Sequence, residues 1–200
     1  MTDAIHALWQ VALQEIVDRS AHEVKDSLNG VSLNLEVIRS RSTREGVAGK
    51  DLKDFAEAAS GQFETLTGRV EALLALGRSP RAATKGADVA VILKQLATLL
   101  VPAAKADGRV LQVKGDERGV PTAAPALAVR LAIAVGLLTL VKGEKGGRCL
   151  LEGGAEPVVR FSHESAVTCS LDSAVAEALA GCNINTRRSD HDLLIEFPGP

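Results

Sequence analysis

Aromatic side chains are nearly missing: 200 residues hold four Phe, one Trp and no Tyr. That removes the stacking platforms on which single-stranded nucleic acids and sugars are held. A basic excess is missing too, because 23 Lys plus Arg stand against 25 Asp plus Glu for a net charge of −2, so there is no whole-chain charge to condense on a phosphate backbone. Nucleic acid is excluded as an expected partner. Cysteine is scarce and odd in number: Cys149, Cys169 and Cys182. Met1 to Gln10 carries His and Asp in place of a basic start and an apolar run, so we read a reducing cytoplasm. The most apolar window, Ala126 to Val141, is broken by Arg130 and is shorter than the roughly 20 residues required to cross a bilayer. It reads as a buried helix, and no membrane is expected.

What is present is an aliphatic, folded composition of 46% apolar and 24% charged residues, inside the globular range. From Val17, apolar residues fall at Ala21, Val24, Leu28, Val31, Leu35 and Ile38, alternating steps of four and three. A second run, Leu52, Ala56, Ala59, Phe63, Leu66, Val70 and Leu73, repeats the alternation. Between them lies Ser40 to Lys50, rich in Ser, Gly and Arg. The pattern predicts a helical hairpin over 1–80 with these two runs as its seam. Apolar shoulders including Leu33, Val37 and Leu74 are left uncovered, and an isologous pairing of two copies into a four-helix bundle covers them most economically. A homodimer is therefore expected.

Gly77 to Ala87 reads as a linker. Asp88 is placed as the N-cap of a helix that turns Val89, Ile92, Leu93, Leu96, Leu99 and Leu100 to a core. Further on, strands are expected at Val110 to Lys114, Arg148 to Glu152, Val158 to Ser162, Ala166 to Cys169 and Leu193 to Phe197. Helices are expected at Ala126 to Lys142 and Asp172 to Ala180. Helices alternating with single strands over 88–200 predict a layered α/β sandwich, so the whole chain is read as α+β.

His22 directly follows Ala21 and so projects from the flank of the first helix, among Arg19, Glu23, Lys25 and Asp26. A solvated imidazole is substantially neutral at cytoplasmic pH and keeps a ring lone pair able to attack phosphorus. A hydrogen bond from Nδ1–H to Glu23 would fix the tautomer with Nε2 free and stabilise the positive ring that forms on phosphorylation. Lys25 or Arg19 would offset phosphoryl charge.

The stretch His22-Glu23-Val24-Lys25-Asp26-Ser27-Leu28-Asn29 resembles the H-box of dimerisation and histidine-phosphotransfer domains. There His is followed by an acidic residue, a basic residue two further on, a small residue and Leu-Asn. Ser27 stands where that family usually has Pro, and Asp26 where many members have Asn or Thr. The resemblance implies that His22 is the phosphoacceptor and Glu23 its proton-managing neighbour, with Arg19, Lys25, Asp26 and Asn29 contacting the phosphoryl group or the partner. Residues 88–200 resemble a degenerate copy of the ATPase-like domain that follows such hairpins in histidine kinases. The helix from Arg130 to Lys142 stands where that domain carries metal-holding Asn residues, and it contains no Asn, Asp or Glu. The Asp-x-Gly-x-Gly adenine loop is missing as well, with no Gly between Arg160 and Asp172. Hard cations need oxygen ligands, so neither metal nor nucleotide is expected on this chain. Taken together, the chain is similar to the dimeric bacterial histidine phosphotransferases of cell-cycle phosphorelays. That implies response-regulator receiver domains as partners, with Mg²⁺ carried by the receiver. A divergent histidine kinase and a non-catalytic pseudokinase adaptor are the alternatives.

Other titratable residues carry less. Cys149, Cys169, Cys182 and His191 lack any C-x₂₋₄-C knuckle, and the cysteines read as buried and structural. His163 and His191 read as surface. Arg39, Arg41 and Arg44 cluster near the hairpin tip and read as a solvated loop.

Overall fold

The computed structural model describes residues 2–42, 49–78, 86–115, 119–143, 146–163, 171–189 and 191–200. Two long helices, α1 (Thr2–Ser42) and α2 (Gly49–Gly77), form an antiparallel pair. After them come β1 (Ala87–Asp88), α3 (Val89–Ala106), β2 (Val110–Lys114), β3 (Pro121–Thr122), α4 (Ala126–Lys142), β4 (Gly146–Glu152), β5 (Val158–His163), α5 (Ser173–Ala180), β6 (Asn185–Arg188) and β7 (Asp192–Glu196). The class is α+β, as expected. Five strands make one sheet in the order β2-β4-β5-β7-β6, parallel only between β2 and β4; β1 and β3 form a separate antiparallel pair.

Local chemistry explains most of these elements. Asp88 caps α3 as anticipated, its Oδ1 accepting from Val91 N at 3.1 Å and also from Val120 N at 3.2 Å. The sheet alternates strictly: Cys149, Leu151, Val159, Phe161, Leu193 and Ile195 turn inward, with Glu152 and Arg160 on the opposite face. Gly146 starts β4 at φ +79°, where any Cβ would collide with the Val110 carbonyl of the neighbouring strand, so only Gly fits there. Helix α4 is buried almost all round, and against it lies α3, eight of whose residues are buried. By length and composition alone α3 could cross a membrane; here it packs as a core helix.

The structure departs from the sequence expectations in several places, and Arg39 and Arg41, expected in a loop, belong to the last turn of α1. First, α1 begins at Thr2, well before Val17, and its first turns send Ile5, Trp9, Ala12 and Ile16 into the same buried core as α3, α4 and the sheet. Second, the apolar stripe on α1 is not the hairpin seam. Val17, Ala21, Leu28 and Leu35 are exposed and Val24, Val31 and Ile38 half-buried, while the polar contacts with α2 come from Glu23, Ser27, Gly30 and Asn34, a polar and small series with the same three-four spacing. A Cβ on Gly30 would overlap the Gln62 amide, which in turn accepts from Asn34 Nδ2 at 3.1 Å, so the bare backbone at Gly30 makes room for the Gln62 side chain. Third, β1, β3 and β6 lie outside the expected strands: β1 and β3 are two residues each, and the four residues of β6 carry no apolar alternation and lie at the sheet edge. Fourth, His163 is buried, at 6% exposure, and not on the surface. Its Nδ1 has no hydrogen-bond partner, and a Cβ on Gly143 would sit 2.6 Å from it. The expected strand over Ala166 to Cys169, the hairpin tip at 43–48 including Arg44, and residues 79–85 of the linker lie outside the described residues.

The two parts are tied together by charge and by caps. Arg130, which interrupts the apolar window, donates from its guanidinium to Ala75 O (3.1 Å), Leu76 O (3.2 Å) and Arg78 O (2.7 Å) at the end of α2. Burial pulls its pKa below the ordinary value, though an Arg stays charged. Lys142 Nζ reaches Glu15 Oε2 at 3.0 Å, and Arg19 reaches Asp107 at 3.6 Å.

Candidate functional site

His22 sits midway along α1 with its side chain 75% exposed. Helical geometry decides which neighbours it meets. Successive residues are turned by about 100°, so the residue four further on returns to the same face and the next residue in sequence does not. Asp26 accordingly lies beside the ring, its Oδ2 3.4 Å from Nε2. Glu23 does not.

Glu23 is turned into the hairpin instead, where Arg69 of α2 meets it. Arg69 Nη2 lies 3.8 Å from Glu23 Oε2, and Nη1 donates to the Glu23 carbonyl at 2.8 Å and to Ser27 Oγ at 2.6 Å. The two side chains are only 10% and 16% exposed. Glu23 therefore does not serve the imidazole as the sequence suggested; it is half of an interior ion pair that helps set the spacing of the two helices. Arg19 is also drawn away, bonded to Glu15 at 3.2 Å and directed at Asp107. Lys25 and Asn29 are exposed on the outer surface. Of the six residues singled out, His22 and Asp26 are in contact, and Glu23 and Arg19 are engaged elsewhere.

Beside this pair opens a cleft of about 630 Å³ between the hairpin and the end of α3, lined by Glu23, Asp26, Arg69, Val101, Pro102, Lys105 and Ala106. Neither Arg69 nor Lys105 carries a local signal that would place it in this region. Arg69 directly precedes Val70 of the apolar run and reads there as ordinary surface, and only the pairing of α1 with α2 shows that it faces inward. What the arrangement offers chemically is a solvated ring nitrogen on a braced helix, a carboxylate against that nitrogen, and a mixed apolar and charged cleft next to it.

Among the described residues no group of three His, Cys, Asp or Glu side chains is placed to hold a metal ion. Cys149 is buried in β4, Cys182 is half-buried after α5, and Cys169 lies outside the described residues. Burial pushes the Cys149 thiol up to about 12 and raises that of Cys182 as well. Only the thiolate is a nucleophile. In the native protein at pH 8, Cys149 is therefore expected to resist iodoacetamide, becoming reactive once guanidinium unfolds the chain, which peptide mass spectrometry reads directly. Because ionisation is resisted only in the folded state, this thiol favours unfolding as pH rises from about 9 toward about 12.

No protein-family model and no characterised protein matches the sequence. Among solved structures, the chain is similar to the cytoplasmic segment of the histidine kinase QseC, at 12% identity and a TM-score of 0.46 over 68% of this chain and 92% of that one. It is similar to the Acinetobacter baumannii histidine kinase AdeS at 12% identity and 0.45, over 89% and 98%. A bacterial phosphotransferase solved at 1.7 Å aligns at 13% identity and 0.40, over 93% and 95%.

Proposed function

We propose that this chain is a histidine phosphotransferase that relays a phosphoryl group between His22 and the aspartate of response-regulator receiver domains. The observation that carries the reading is the exposed His22 imidazole held midway along a helix that is braced on its inner side by α2. In-line transfer needs a nucleophile presented to a macromolecular donor in one orientation, and a side chain on a packed helix meets that need better than one on a loop. The ring lone pair bonds to phosphorus, the acyl-phosphate P–O bond breaks, and its electron pair stays on the receiver carboxylate. Mg²⁺ belongs, on this reading, to the receiver.

The second part of the chain supports transfer over ATP-driven phosphorylation. The polar side chains of α4 are Arg130, Thr139 and Lys142, and all three are committed within the protein: to the end of α2, to Gly136 O at 2.7 Å, and to Glu15. The reading also includes a homodimer. Leu33, Leu35, Phe63 and Leu74 are more than half exposed, and a groove of about 400 Å³ lined by Val31, Leu35, Ala59, Ser60, Phe63 and Glu64 runs along the hairpin flank. An uncovered apolar face of this kind fits an isologous partner. A cytoplasmic location follows from a relay between receivers.

The test is to incubate the purified protein with a phosphorylated receiver domain, and separately with ATP alone, and to measure acid-labile, base-stable phosphate. Label is expected from the receiver only, and His22→Ala is expected to abolish it while sedimentation shows an unchanged oligomer. A His22→Ala protein that still accepts phosphate sinks the assignment, and self-labelling from ATP replaces it with a kinase.

A further inference from the structure

The carboxylates of Glu23 and Asp26 are in different electrostatic situations. Glu23 is turned inward and faces the Arg69 guanidinium. Asp26 is half-exposed, and among the described residues its one ion-pair partner is the imidazole itself, Oδ2 to Nε2 at 3.4 Å. Lys105 lines the same cleft without pairing with it.

An uncompensated carboxylate at Nε2 acts on both sides of a phosphoryl transfer. Before transfer its negative charge, 3.4 Å from Nε2, favours the neutral tautomer that carries its proton on that nitrogen and so has no lone pair there to offer. After transfer it stands beside a group of like charge, which repels it. Both effects lower the hold of the ring on phosphate. Resting on the phosphotransfer reading above, we infer that Asp26 sets how weakly His22 retains the phosphoryl group, biasing the relay toward discharge onto a receiver aspartate. Asp26 takes no covalent part. Nε2 gains and loses the N–P bond, the departing carboxylate keeps or returns the P–O electron pair, and the Nδ1 proton is exchanged with water.

Potassium phosphoramidate provides a probe that needs no partner protein: its P–N bond breaks as Nε2 takes the phosphoryl group, and the nitrogen leaves as ammonia. Labelling of His22 is followed by ³¹P NMR in the full chain. Asp26→Asn is expected to label roughly fivefold faster than wild type, the effect of removing one like charge about 4 Å away in water. Glu36→Gln, which removes the same charge about 21 Å along the helix and beyond the Debye length of about 8 Å, is expected to label at the wild-type rate. Long-range ¹⁵N spectra of the ring are expected to show more of the tautomer with Nε2 unprotonated in Asp26→Asn. Labelling of Asp26→Asn no faster than wild type, an unchanged tautomer ratio, or equal acceleration by Glu36→Gln overturns the inference. A wild-type protein that reacts with phosphoramidate but is silent toward phosphorylated receivers sinks the relay reading instead, and leaves the effect of Asp26 on the ring standing.

Discussion

Phe161→Ala is expected to lower the unfolding free energy by about 4 kcal/mol, which for a chain of this size moves the melting temperature down by roughly 12 °C. The ring is fully buried at the centre of β5, flanked across the sheet by Cys149 and Leu193. It lies directly against Gly136 of α4, where a Cβ would come within 2.7 Å of ring Cε1. Helix and sheet meet at this point through an aromatic plate set on a bare backbone. Truncating the plate leaves a cavity that neither side can close, since α4 is buried nearly all round and the sheet is fixed by its ladders. The converse change, Gly136→Ala, forces the ring off its position, and combining it with Phe161→Leu is expected to cost less than the sum of the two. Calorimetry on the four proteins of that cycle decides the matter; strict additivity means that the contact does not govern the packing here.

Arg69→Met is expected to cost about 3 kcal/mol, because it leaves the Glu23 carboxylate enclosed without a counter-charge and removes two hydrogen bonds across the hairpin. The Arg69–Glu23 ion pair itself is loose at 3.8 Å, so most of the loss comes from the stranded acid and the bonds to Glu23 O and Ser27 Oγ. Adding Glu23→Gln should therefore recover a large part of the deficit, since the double change removes both charges together. Urea denaturation of the single and double variants tests this. A double variant no more stable than Arg69→Met shows that the buried charge is not the source of the cost. Met keeps the aliphatic stem, so packing is held nearly constant in the comparison.

Much of the second part of the fold was legible because its signals are local. The Asp88 cap, the β2 strand and the limits of α4 follow from one side chain, one alternation and one apolar stretch, each readable without reference to distant parts of the chain. The hairpin was legible as two helices but not as an interface. Heptad spacing identifies the face of a helix that avoids water without saying which of two candidate partners covers it. The stripe from Val17 to Ile38 borders α2 only in part, at Val31 and Leu35, and the closest contacts with α2 are made by the neighbouring stripe of Glu23, Ser27, Gly30 and Asn34. The same ambiguity misplaced Glu23. Its position in sequence suggested a neighbour of His22, and only the rotation between adjacent helical residues, together with an Arg forty-six positions away, turns it inward. His22 itself was found because exposure on a helix flank is a local property. The first turns of α1 are harder to read for the opposite reason: apolar residues crowd every side of them, Ala7, Leu8, Val11 and Leu13 included, and that Ile5, Trp9, Ala12 and Ile16 are the buried ones depends on α3 and α4 lying over them.

Those first turns make the protein indivisible at the place where its sequence looks most easily cut. A fragment ending near residue 80 would carry Trp9 and Ile16 into solvent, and one starting near residue 88 would leave their berth unfilled. One helix about 60 Å long thus carries an anchor in the layered half at one end and the His22 imidazole further along, with no hinge between them among its described residues. Any tilt of the layered half must move the imidazole with it, as a gun barrel follows its breech.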